Sequence, residues 1–349
     1  MTDMDIDARR QGTLGRITLN RPKAINALTP GMVSAIDAAL AQWSADDEVV
    51  AVLIDGAGER GLCAGGDIRF LHEHARAGTF ESADRFLYDE YRMNAHIARF
   101  PKPYIAIMDG LVMGGGVGVS AHGSVRIVTE RTRLAMPEVG IGFVPDVGST
   151  YLLSAAPGEY GTHAALTGET IGAADVILCG LADHHVASDR LPALVEALSA
   201  CRDAEAVAQC VAAHASPAAP GKLAEAAWIH ACYRHDAVSE IVAALEARPE
   251  EGAQAAAKRI AGNSPTSLAV ALRALRNGRR FGRLEPCLEQ EYQLATALMR
   301  RPDFAEGVRA AVVDKDRNPA WQPATAAGID PADVDALFGS TASLDLPAA

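Results

Sequence analysis

Two short runs of uninterrupted apolar residues, VVAVLI at 49–54 and PYIAIM at 103–108, each lead within a few residues into a glycine-rich stretch, GAGERGLCAGG and GLVMGGGVG. Runs this short and continuous fit strands covered on both faces, since a half-exposed strand alternates and a helix is longer. LGRITL at 14–19 and VRIVT at 125–129 add further strands. Between them lie helical patterns: one opened by Thr29 as N-cap with Pro30 in the first turn and running to about Trp43, one behind Asp67 carrying Ile68, Phe70 and Leu71, one from about Ala83 to Phe100 stopped at Pro101, and a short one over Val117 to Ala121. The alternation predicts an α/β core.

From about residue 189 the pattern turns helical only, in LPALVEALSAC, AEAAWIHACY and VSEIVAALEA, and HASPAAPGK at 214–222 is the linker candidate. The expected organisation is a core over 10–200 and a helical C-terminal region over 220–349 packing on it. At 349 residues and 49% hydrophobic the chain can bury a substantial core. A net charge of -12 argues against a nucleic-acid partner or an anionic membrane surface. No apolar run approaches the ~18 residues of a membrane span. Six cysteines without a Cys-x-x-Cys pair read as reduced core thiols and not zinc ligands. The acidic, non-apolar N-terminal residues match neither a secretory signal nor a transit peptide, so a cytoplasmic location is expected.

Candidate chemistry centres on AMPEVGIGFVPDVG, where Glu138 and Asp146 stand in an apolar, Gly/Pro-punctuated stretch that disfavours solvated charge. Two glycine-rich turns, Cys63–Asp67 and Gly114–Gly116, offer backbone amides at helix entrances. Preorganised amides stabilise an oxyanion by roughly 3–4 kcal/mol each where measured, so acids and amides together suggest chemistry on a carbonyl. Neither a phosphate loop nor the dinucleotide fingerprint is present.

GLCAGGDIRFL, MDGLVMGGGVGVSAHG and AMPEVGIGFVPDVGSTYLL resemble the enoyl-CoA hydratase/isomerase (crotonase) superfamily, most closely its 3-hydroxyisobutyryl-CoA hydrolase branch. NRPKAINAL near the start, and SPTSLAVALRALRNG and EYQLATALMRRPDFAEGVRAAVVDKDRNPAW near the end, extend the likeness over nearly the whole chain. The resemblance implies a crotonase-type spiral of strand-turn-helix units with a helical C-terminal region covering the acyl pocket. It implies that the amides of Gly66 and Gly115 form the oxyanion hole, that Glu138 is the catalytic glutamate and that Asp146 acts with it. Glu90 in LYDEYRMN matches an acid near the acyl group. Lys23 and Ala24, with the loop Ala64, Asp67 and Ile68, fall where relatives hold the adenine end of coenzyme A, and Arg21, Lys23 and Arg69 are candidates for phosphate charge.

Hydratases of the superfamily carry a second glutamate two residues beyond the glycine triplet, and that position here is Gly118. Without a second proton carrier, which typically contributes 10² to 10⁴-fold, hydration is disfavoured, whereas hydrolysis needs one carboxylate and an oxyanion hole. The expected reaction is hydrolysis of a short branched 3-hydroxyacyl-CoA. The rival readings are an enoyl-CoA hydratase or isomerase and a noncatalytic acyl-CoA-binding scaffold. Coenzyme A is part of the substrate and no metal or redox cofactor is expected; a homo-oligomer stays open. Ser149-Thr150 departs from the glycines common in the branch.

Plainer roles exist for the same residues. Glu138 fits a turn cap after Pro137, Asp146 an N-cap after Pro145, and Glu90 a solvated helix face. Ser120 and His122 lack a nucleophile-elbow pattern, and two-residue spacing turns them, like His72 and His74, away from each other on a helix. His72 and His74 are therefore expected on a solvated helix. Asp314–Asn318 starts like a calcium loop, but Pro319 and Thr325 replace its glycine and glutamate, so a plain loop is expected. Cys63 reads as a small buried residue.

Overall fold

The computed structural model describes residues 5–346; residues 1–4 of the N-terminal reading and 347–349 of the C-terminal region lie outside it. The chain forms two compact units that interleave along the sequence: Met1–Gly66, Arg92–Leu134 and Ile171–Gly221 make the first, and Asp67–Tyr91, Ala135–Thr170 and Lys222–Ala349 the second. Residues 67–91 and 135–170, read from sequence with the core, thus group with the C-terminal residues.

In the first unit six strands order as Ile6–Gln11, Leu14–Leu19, Ala51–Gly56, Tyr104–Met108, Val125–Val128 and His184–His185. All neighbours are parallel except the first pair. The apolar runs explain the two central strands: Ala51 to Asp55 and all of Tyr104–Met108 are buried. Leu14, Leu53, Ile105, Ile107 and Ile127 pack with Leu194 and Leu198 of helix Leu191–Leu198 and with Val207 and Val211 of helix Ala204–His214. The edge strand Ile6–Gln11 went unforeseen because only Ile6 of IDARRQ is fully buried, leaving no apolar alternation to read. Thr29 caps helix Pro30–Ser44 as expected, its Oγ1 accepting from the Met32 amide at 3.2 Å. A second pairing, Gly61–Cys63 parallel to Leu111–Met113, ties the two glycine-rich stretches together.

The second unit is helical. Helix Pro265–Phe281 is capped by Ser264 and packs against Ser149–Ser154, Tyr160–Thr167 and Leu284–Leu298. Its approach to Ser149–Ser154 depends on Gly278, where a Cβ would lie 2.9 Å from the Thr150 carbonyl oxygen and from Ser154 Oγ. Helices Trp228–Tyr233, Val238–Glu246 and Glu251–Gly262 follow the expected C-terminal pattern, and 215–222 carries no helix or strand.

Candidate active site

The first unit brings together the glycine turns and the proposed coenzyme A residues lying before Asp67. Gly114, at φ 47, turns the strand Leu111–Met113 into helix Gly115–Ala121, two residues earlier than predicted. Gly116 packs so closely on the other turn that a Cβ would sit 2.6 Å from the Cys63 carbonyl oxygen. Gly65 has φ 112, a conformation open to glycine and costly for other residues. The loop from Arg21 is fastened to the Cys63 turn: Ile25 O accepts from Ala64 N and Gly65 O from Leu28 N, both at 2.9 Å. Asn26 Nδ2 donates to the carbonyls of Ala57, Gly61 and Leu62 at 3.1 Å each. Lys23 and Ala24 are exposed beside this loop. Arg21 donates to Ala27 O at 2.5 Å and lies 3.8 Å from Asp5. A cavity of about 380 Å³ in this unit, lined by Arg16, Asp55 and Leu191 among others, touches none of the predicted site residues.

The second unit holds the acids. Glu138 opens the 3-10 helix Glu138–Ile141, with its carbonyl oxygen accepting from Phe143 N at 3.0 Å. Glu138 and Asp146 are 7% and 6% exposed, Glu90 2% and Glu291 fully buried. No ion pair with Lys or Arg neutralises these four acids among the described residues. Glu138 Oε2 and Glu90 Oε1 are buried without a hydrogen-bond partner. Burial, then the nearby Asp146, pushes the Glu138 carboxyl well above the usual carboxylate range; Glu291 and Glu90 add to this. Burial and Asp146 do the same to Glu90. Burial also pushes Asp146 up, to about 7, while the hydrogen bond from Tyr91 holds it down. Tyr91 Oη donates to Asp146 Oδ2 at 2.5 Å. In the coupled pair Asp146 is therefore the readier anion and Glu138 the readier proton holder.

Several plain readings are corrected here. Asp146 does not cap a helix: helix Ser149–Ser154 has Gly148 as its N-cap, and the Asp146 carboxylate is engaged by Tyr91. Glu90 is not on a solvated face, because its helix, Phe80–Ala98, buries that stripe. Asp67 occupies the N-cap position of helix Ile68–Ala77 without a side-chain capping hydrogen bond. Ile68 is half-buried and Arg69 donates to Val312 O at 3.4 Å. His72 is buried, not solvated, which pushes its pKa down; His74 is half-buried and meets Thr79 Oγ1 at 2.7 Å.

Ser120 Oγ donates to Gly116 O at 2.6 Å within its own helix. Asp314 and Asp316 lie in a loop, paired with Arg309 at 2.8 and 2.7 Å. No cluster of His, Cys, Asp and Glu suited to a metal occurs among the described residues. All six cysteines are free and Cys63 is buried. No helix among the described residues is long and apolar enough to cross a membrane.

Two residues of the acid cluster escaped the sequence reading. Tyr91 follows Glu90 directly and carries no periodic signal beyond burial. Glu291 lies on the apolar stripe Leu284, Cys287, Leu288, Ala295 and Leu298, and a charge on such a stripe was the available clue. Its Oε2 accepts from Gly148 N at 2.5 Å, and its Oε1 accepts from Thr150 N at 2.8 Å and from Thr150 Oγ1 at 2.5 Å. Burial pushes Glu291 up to about 8, against the pull of these bonds.

A sequence profile described as Enoyl-CoA hydratase/isomerase matches residues 14–338. The chain belongs to this family. Relatives include the mitochondrial 3-hydroxyisobutyryl-CoA hydrolase of Rattus norvegicus, 40% identical over 97% of this chain and 89% of the relative, and that of Homo sapiens, 39% identical over the same shares. A solved structure described as a carnitinyl-CoA dehydratase from Mycobacterium thermoresistibile is 51% identical with a TM-score of 0.92 and 96% of each chain covered. Another, described as an enoyl-CoA hydratase from Rhodobacter sphaeroides 2.4.1, is 40% identical with a TM-score of 0.91, covering 97% of this chain and 98% of its own. The expected crotonase fold is thereby established for this member of the enoyl-CoA hydratase/isomerase family. The hydrolase names place those relatives in mitochondria, which lends the cytoplasmic expectation no support. Residue 118 is a buried glycine inside helix Gly115–Ala121.

Proposed function

We propose that the protein hydrolyses the thioester of a short branched 3-hydroxyacyl-CoA, with 3-hydroxyisobutyryl-CoA as substrate and 3-hydroxyisobutyrate and free coenzyme A as products, as in valine breakdown. The observation that carries this is the buried pair of carboxylates Glu138 and Asp146, with Asp146 hydrogen-bonded to Tyr91. Its support from relatives is the 40% identity to proteins named for that hydrolysis.

In this reading the amides of Gly66 and Gly115 take the developing oxyanion. Glu138 either attacks the carbonyl carbon, expelling the coenzyme A thiolate and leaving a mixed anhydride that water opens, or removes a proton from water as it attacks. Both routes balance with water as the only co-reactant, so no metal or redox group is invoked. Asp146 holds the 3-hydroxyl or positions water and Glu138, Glu90 lies near the acyl group, and Lys23, Ala24, Ala64, Asp67 and Ile68 take the coenzyme A end. Glu138 must shed its proton before it can attack or act as base, so activity rises with pH above the ordinary carboxylate range.

A second reading, addition or loss of water at an enoyl-CoA, is favoured by the descriptions of the two solved relatives. Gly118 in place of a second acid weighs against it. Offering 3-hydroxyisobutyryl-CoA, crotonyl-CoA and carnitinyl-CoA while following free thiol and enoyl absorbance separates the readings. Thiol release abolished in Glu138→Gln supports hydrolysis; enoyl turnover without thiol release replaces it with the second reading; coenzyme A binding with neither reaction leaves a scaffold.

A further inference from the structure

We propose that Glu291 is a positioning residue for the thioester chemistry, gripping the backbone just beyond Asp146 so that the turn carrying this acid keeps one shape. The inference rests on the hydrolase reading above. Between Asp146 and the following helix the chain places two consecutive residues in the left-handed region, Val147 at φ 55 and Gly148 at φ 82. For a β-branched residue such as Val147 that conformation is strained and persists only where surrounding contacts impose it. Within the turn the local tie is Ser149 N to Asp146 O at 2.9 Å. Helix Ser149–Ser154, at six residues, is too short to impose the shape.

One external restraint on the turn is the Glu291 side chain. It accepts the amides of Gly148 and Thr150 and the hydroxyl of Thr150, and it projects from the fifteen-residue helix Leu284–Leu298. The turn is thus held at two places: the Asp146 carboxylate by Tyr91, and the backbone two and four residues further on by Glu291. A residue needed only to fill this stripe would be cheaper as leucine, since burying a carboxylate costs free energy unless hydrogen bonds repay it. Directional hydrogen bonds to two backbone amides set the position of a turn more tightly than apolar packing does.

The test compares wild type, Glu291→Gln and Thr150→Val for thiol release from 3-hydroxyisobutyryl-CoA, with a melting temperature for each. Gln keeps the shape but turns an N–H₂ group toward a backbone N–H, releasing one side of the grip. We expect kcat about 10- to 100-fold lower with KM within about twofold, the cost typical of a displaced reacting group. Thr150→Val removes only the hydroxyl contact and leaves both amide bonds, and its kcat should fall about two- to fivefold with KM and folding retained. It decides the matter if Glu291→Gln fails to fold. Wild-type kcat in the folded variants, or a lower melting temperature with unchanged kcat per folded molecule, overturns the proposal. An active wild type with unaffected variants removes the role of Glu291 alone, whereas a wild type that releases no thiol removes the hydrolase reading and this inference with it.

Discussion

Tyr91 donates its phenolic proton to Asp146 across 2.5 Å, with both side chains withdrawn from solvent. That bond favours the charged form of Asp146 against the burial that opposes it. A hydrogen bond to a charged group contributes about 1.5–3 kcal/mol, equivalent to about 1–2 pH units. Tyr91→Phe should therefore move the first ionisation of the Glu138–Asp146 pair to higher pH by about that much. The low-pH limb of kcat/KM for thiol release reports it, and a limb that stays in place refutes the coupling.

The acid cluster also predicts how stability depends on pH. Asp146, raised from 3.8 to about 7, and Glu291, raised from 4.5 to about 8, hold protons in the folded state that the unfolded chain releases. The folded state then binds more protons across this window, so stability falls as pH rises from about 5 towards 8 and levels off above the folded values. Urea denaturation at a series of pH values measures the slope. Asp146→Asn should flatten it; an equally steep variant would show that the slope arises elsewhere.

Activity and stability should separate at Glu138. Its carboxylate is buried with an unpartnered oxygen among three other acids, so Glu138→Gln removes a poorly compensated charge while keeping the shape. At pH 8 the variant should melt about 1–2 °C above wild type, which corresponds to about 1 kcal/mol in a chain of this length. Thiol release should drop at least about 10²-fold. Differential scanning calorimetry beside the thiol assay checks both, and a variant less stable than wild type contradicts the electrostatic account.

A fourth expectation concerns the glycine turns. Gly116→Ala would put a methyl group 2.6 Å from the Cys63 carbonyl oxygen, against backbone that cannot swing aside as a side chain could. Overpacking of this kind costs about 1–3 kcal/mol. The melting temperature and thiol release should fall together, because the displaced carbonyl belongs to the turn that carries Gly66. A wild-type melting temperature would show that the turn yields freely.

Much of the first unit was legible from sequence because its signals are local. The apolar runs at 49–54 and 103–108 could be little else than buried strands, and Thr29-Pro30 marks a helix start by capping chemistry alone. Ile6–Gln11 gave no such signal, as an edge strand with solvent on most of its side chains. The acids were found unevenly. Glu138 and Asp146 stand out because nothing polar surrounds them, whereas Glu90 is picked out by resemblance alone, although it shares the helical stripe of Ala83, Leu87 and Asn94. Glu291 belongs to no motif, and the charged residues around it in sequence mask its place on an apolar stripe. Tyr91 could not be paired with Asp146 at all, because that contact joins residues 55 apart through tertiary packing alone.

The interleaving of the two units has a consequence for any attempt to divide the chain. Residues 215–222 look like a hinge between modules, yet the second unit also draws on residues 67–91 and 135–170. A protease nick there would leave Glu138 and Asp146 on one fragment and Glu291 on the other, so that the second unit would be held together without a covalent link. Neither piece is a domain that a deletion or a gene fusion could inherit intact.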